Sequence, residues 1–263
     1  QKEPIKVKKI VPRLHFGKKL NRIAAAISLL LIVSGIGYYF FSSNKSLNRE
    51  TIVQTYSTIT GKSKFILPDG SEVWLNSHSK LEYKNLHADM REVELKGEAF
   101  FKVQHDERPF IVKTSDIAVK VHGTQFNVSA YHADEKSVVS LYEGSVSMHV
   151  LGDDSSNCYL KPGEEGSLDK KDKTIRVEKG DVEFAKMWTN EKVKLENKNL
   201  HEVCKYLSKW YNVKIIIDPA LSDDQSYTFT LHDQSLEDII RIMSNISSIN
   251  YHFTEDNTLM ITL

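Results

Sequence analysis

The stretch Ile23–Phe41, which reads IAAAISLLLIVSGIGYYFF, constrains this chain more than any other. It carries no charged residue. As a helix rising ~1.5 Å per residue it would span about the ~30 Å hydrocarbon core of a bilayer. Few soluble core helices are apolar on every face. A cleaved leader would need a short n-region and a small-residue cleavage site. Here 22 residues come first, and the exit runs through Tyr38, Tyr39, Phe40, Phe41 and Ser42. The reading is a transmembrane helix over residues 23–41, with the aromatic cluster at one interface.

The flanks orient it. Lys2, Lys6, Lys8, Lys9, Arg13, Lys18, Lys19 and Arg22 precede the stretch against one acid, Glu3, whereas Lys45, Arg49 and Glu50 follow it. This asymmetry predicts a cytoplasmic basic segment over 1–22, a single pass through the inner membrane, and a periplasmic remainder in a Gram-negative cell. A segment of that length is too short to fold, and the sequence opens on Gln1. A cytoplasmic domain is therefore expected upstream of it.

The chain holds 35 basic and 35 acidic residues. Eight of the basic groups and one acid fall in 1–22, which leaves the remainder acidic by seven. That balance argues against nucleic acid as a partner. Two cysteines, Cys158 and Cys204, exclude a disulfide framework and leave a single bridge open. Cys204 lies on the apolar stripe of a predicted helix, where a buried thiol is the ordinary reading. G-x-S-x-G, H-E-x-x-H, Walker and C-x-x-C motifs are absent. The ten histidines have no ligand-like spacing. No enzyme activity, no metal and no cofactor are expected.

Residues 50–178 read as an all-β domain. Phe65–Leu67, the turn Pro68–Ser71 and Glu72–Leu75 form a predicted hairpin, because Asp69-Gly70 supplies the positive φ that a tight turn needs. Further strands are predicted at 91–95, 99–103, 110–113, 117–121, 126–131, 137–142, 145–150 and 174–177. A short linking helix is predicted over 181–188. Residues 188–263 then change period. Leu200, Val203, Cys204, Leu207, Trp210 and Tyr211 fall on one helical face behind Asn199 as N-cap. Leu236, Ile239, Ile240, Met243 and Ile246 fall on another behind Ser235. Strands at 193–195, 213–217, 227–231, 251–253 and 259–263 complete a β-α-β, β-α-β-β order, read as helices on one short sheet.

Six phrases in the first of these domains resemble the periplasmic domain of FecR-like anti-sigma factors. They are Leu67–Asn76 (LPDGSEVWLN), Val93–Val103 (VELKGEAFFKV), Arg108–Val112 (RPFIV), Val121–Val128 (VHGTQFNV), Leu141–Val146 (LYEGSV) and Leu160–Glu164 (LKPGE). The second domain resembles, more by pattern than by signature, the C-terminal domain of FecR-like proteins from Bacteroidota, which is similar to the signalling fold of secretins and TonB-dependent receptors.

The resemblance implies a sigma-factor regulator. The signalling domain of an outer-membrane TonB-dependent transporter would contact it. Stepwise cleavage ending with an intramembrane protease would carry the signal to an extracytoplasmic-function sigma factor. It marks Asp69, Gly70, Gly97, Glu98, Asn127 and Gly144 as structural motif residues. It also marks Gly123-Thr124 as a bond that some relatives cut by an N-to-O acyl shift. A structural bulge is the alternative for that dipeptide. The strand carrying Leu259, Ile261 and Leu263 is the candidate edge for a partner strand. An anchored envelope scaffold or assembly protein with a secretin-like interaction domain is the competing function.

Overall fold

The computed structural model describes residues 26–38, 53–84, 89–222, 224–256 and 258–263. The chain divides into two compact units, Gln1–Glu50 and Thr51–Leu263. In the first, residues 26–38 form helix α1, solvent-exposed along its length. Among the described residues no helix is long and apolar enough to cross a membrane. The remainder of the 23–41 stretch and the basic segment 1–22 lie outside the described residues.

The second unit begins with thirteen strands: β1 Val53–Thr58, β2 Ser63–Ile66, β3 Glu72–Leu75, β4 Ser79–Lys84, β5 Arg91–Lys102, β6 Phe110–Lys113, β7 Ile117–Val121, β8 Gln125–Ala130, β9 Lys136–Glu143, β10 Val146–Val150, β11 Asp153–Leu160, β12 Glu164–Asp169 and β13 Thr174–Lys179. They form two half-sheets that share β5. One runs β1-β4-β5-β6-β7-β10-β11. The other runs β2-β3-β5-β8-β9-β12-β13. Inward residues of both halves bury a single apolar cluster, with Leu75, Leu95, Phe101, Phe110, Phe126 and Leu141 at its centre. This is the alternation that two packed sheet faces demand.

The two strands expected at 91–95 and 99–103 are one strand. Residues 91–96 pair within the first half-sheet and 97–102 within the second, and the strand turns at Gly97, whose φ is +98°. A Cβ there would stand 2.3 Å from Ser79 Oγ, so both the conformation and the space exclude a side chain. Strands β1, β4, β11 and β12 lie outside the predicted strands. β11 and β12 are serine- and acid-rich, β1 and β4 are short mixtures of polar and apolar residues, and it is pairing with neighbours that makes all four strands.

After helix α2 (Val182–Lys186) and a 3-10 turn at Met187–Thr189 come β14 (Val193–Lys198), α3 (Leu200–Tyr211), β15 (Ile215–Ile217), β16 (Tyr227–Leu231), α4 (Leu236–Ile246), β17 (Asn250–Phe253) and β18 (Leu259–Thr262). Helix α3 opens with a reciprocal capping box. The Asn199 side chain accepts the Glu202 N–H, and the Glu202 carboxylate accepts the Asn199 N–H. It stops at Asn212, left-handed with φ 52°, whose N–H donates to the Ser208 carbonyl. Leu200, Val203, Cys204, Leu207 and Trp210 bury against Ile239, Ile240, Met243, Leu259 and Ile261 in a second apolar cluster. Ile246, expected on the buried face of α4, is 71% exposed because the helix ends there.

The strand order is as expected, but the strands make two sheets. β14 pairs with β16, while β15, β18 and β17 form a three-stranded sheet with β15 and β18 parallel. This corrects the proposed docking edge. β18 is the central strand, hydrogen-bonded on both sides, and Leu259 and Ile261 are fully buried within it. Leu263 lies just beyond its end and is exposed. The outer strands of that sheet are β15 and β17.

Candidate functional site

The six motif residues separate into three places, with Gly97 preceding Glu98 on β5 at the third. Asp69 and Gly70 occupy the β2–β3 turn, where the Gly70 N–H donates to the Leu67 carbonyl. The Asp69 carboxylate accepts the Ser71 N–H and hydroxyl and forms an ion pair with Arg91 at 2.9 Å. Both side chains are almost wholly enclosed, at 3% and 1% exposure. The Arg91 guanidinium also donates to the carbonyls of Gln104, Arg108 and His122. One planar fork thus ties the turn, the start of β5 and the 104–109 loop together. Within that loop, Arg108 hydrogen bonds, side chain first and then backbone, hold the Asp106 carboxyl below the usual range.

The loop leads to the second place. The Asp106 N–H donates to the His122 carbonyl. His105 lies so close to Gly123 that a Cβ on that glycine would be 2.8 Å from Nδ1. The Thr124 hydroxyl is buried and donates to the Ser145 carbonyl at 3.0 Å, and its carbonyl accepts the Val103 N–H. Gly144, with φ +94°, faces both partners of the candidate acyl shift. A Cβ on it would be 2.8 Å from Thr124 Oγ1 and 2.9 Å from the Gly123 oxygen. A groove of about 410 Å³, lined by His122, Ser145 and Tyr159 among others, runs beside them. As it stands, the dipeptide stitches the start of β8 to β5 and to the β9–β10 turn.

The third place is the junction between the β part and the α/β part, and it centres on Glu98. This carboxylate is 2% exposed. It accepts Asn76 Nδ2 on one oxygen and Asn127 Nδ2 on the other, each at 2.8 Å. The Lys209 ammonium, from the last turn of α3, pairs with it across the junction. The Asn127 Oδ1 atom, also buried, has no hydrogen-bond partner among the described residues. Next to the pair, Tyr131 donates to the Ser77 carbonyl at 2.9 Å, and the Asn212 amide reaches the same carbonyl at 3.4 Å. Burial first, and then the Glu98 charge, push the Tyr131 hydroxyl's pKa far up, so it stays a donor. Further contacts close the junction. Lys62 Nζ lies 3.0 Å from the centre of the Trp210 ring, and Lys186 Nζ 3.5 Å from that of Tyr142. An open cleft of about 730 Å³ runs beside them, with His78, Tyr131 and Asp134 on one wall and Lys205, Lys209 and Lys214 on the other.

Sequence reasoning placed Glu98 and Asn127 but missed Asn76, Tyr131, Lys209 and Arg91. A lysine beside an apolar stripe and an arginine opening a strand have no local signature of burial. Among the described residues, no group of three or more His, Cys, Asp or Glu side chains could hold a metal ion. Cys158 and Cys204 are both thiols, and burial pushes that of Cys158 up.

Residues 54–147 match the family model described as FecR protein, and residues 192–261 match the one described as FecR, C-terminal. Two crystal structures from Parabacteroides distasonis, each described as "a putative anti-sigma factor", are similar to this chain. The one at 2.50 Å resolution is 28% identical with a TM-score of 0.58, covering 80% of this chain and 99% of that one. The one at 1.65 Å is 29% identical with a TM-score of 0.57, covering 79% and 98%. No curated protein matches the chain at a significant level.

Proposed function

Since the chain belongs to the FecR family, a family of regulators, we propose that it is a membrane-anchored regulator of an extracytoplasmic-function sigma factor. The observation that carries this reading is an order of segments. A basic segment and an uncharged apolar stretch precede a FecR domain and a FecR C-terminal domain in one chain. Residues 23–41 anchor the protein in the inner membrane with 1–22 in the cytoplasm, and the folded unit stands in the periplasm. The α/β part receives the signalling domain of an outer-membrane TonB-dependent transporter. Proteolysis ending in the anchor releases the signal to the sigma factor inside. Support for the sigma-factor link comes from the description of the two similar crystal structures as anti-sigma factors.

The test is affinity capture with crosslinking of the full chain from envelopes of its native host, read by mass spectrometry. The expected result is recovery of a TonB-dependent transporter together with a sigma factor. Deletion of 188–263 should abolish the transporter crosslink and leave the sigma factor. Recovery of cell-wall or secretion components alone, with neither partner, would establish the scaffold function instead.

A further inference from the structure

Glu98 and Lys209 stand 111 residues apart in sequence, on two parts of the molecule with separate apolar cores. The β part supplies Glu98 with two amide donors, Asn76 and Asn127, and the cation comes from α3. Taken alone, the β part would therefore present the Glu98 carboxylate held by two amides but without the Lys209 ammonium. Polar and cationic contacts flank the pair: Asn212 on the Ser77 carbonyl, Lys62 on Trp210 and Lys186 on Tyr142. Junctions of this composition separate and re-form more readily than apolar ones. An ion pair removed from water holds well when whole and poorly when one partner is lost.

We propose that the Glu98–Lys209 pair is a latch: it sets an equilibrium between a closed arrangement, with α3 seated on the β part, and an open one in which the two parts move independently. In the closed form Lys209 fills the Glu98 socket and Asn212 is held on the β3–β4 turn. In the open form the socket takes up water, and the surface carrying Lys205, Lys209 and Lys214 is released. This device concerns the chain by itself and does not depend on which partner the α/β part receives.

The experiment is hydrogen exchange of the full chain in detergent micelles, comparing wild type with Lys209→Met, Glu98→Gln and the double variant. In Lys209→Met, amide exchange should rise at least tenfold at 76–79 and 205–214, with β8 and β9 unchanged. Glu98→Gln should raise it at the same two segments, and the double variant should be no faster than the worse single one, because both changes break one contact. Lys209→Arg should restore most of the protection. Two results overturn the latch: exchange at the junction unchanged in both single variants, or accelerated exchange spread through the β core, which would make Glu98 a folding residue.

Discussion

At the residue scale, the buried charges decide most. The Asp69–Arg91 pair is enclosed and joins three backbone segments. Asp69→Ala leaves the guanidinium buried with carbonyl partners and no anion, a loss on the order of 3–5 kcal/mol. Urea unfolding should show that drop in midpoint, whereas loss at an exposed pair such as Lys194–Glu196 should cost less than about 1 kcal/mol. Lys62 gives the pH dependence. It is half-buried against Trp210, and desolvation lowers its pKa to about 8 from the usual 10.5 of a lysine. Between those values the unfolded chain holds the proton and the folded chain does not, so stability rises as pH rises from about 8 to 10.5. Lys62→Met should remove that slope in unfolding midpoints measured at pH 7, 8, 9 and 10.

At the element scale, local chemistry fixes helix ends and distant pairing fixes strands. The Asn199–Glu202 box starts α3, the helix that carries Lys209 and Trp210 to the junction. Asn199→Ala should cost about 1 kcal/mol in unfolding free energy. Strand β5 shows the opposite dependence. Its 12 residues belong to both half-sheets because Gly97 turns between them, and nothing within the strand announces which half pairs with which neighbour. The same holds for β18. Its alternating apolar residues fit an edge or a centre equally, and only β15 on one side and β17 on the other make it central.

At the scale of the whole molecule, the proposed function puts the acidic folded unit and the basic N-terminal segment on opposite sides of the inner membrane. In spheroplasts, protease should digest 53–263 and spare an N-terminal tag, and carbonate washing should leave the chain in the membrane pellet. Release by carbonate would refute the anchor. Intact mass of the same purified chain should show one unbroken species, since the Thr124 hydroxyl is engaged with Ser145. Fragments ending at Gly123 would establish self-cleavage in its place.

The sequence by itself determined what depends on neighbours along the chain. The β2–β3 turn at Asp69-Gly70, the caps at Asn199 and Ser235, and the apolar stripes of α3 and α4 were legible because turn chemistry and helical period act over a few residues. Family phrases placed Glu98 and Asn127 without saying what they do. Tertiary structure alone decided that β5 is shared, that β18 is interior, and that Glu98 meets Lys209. Those outcomes turn on which distant surfaces come together and on the desolvation of the groups trapped between them. Neither has a counterpart in local pattern.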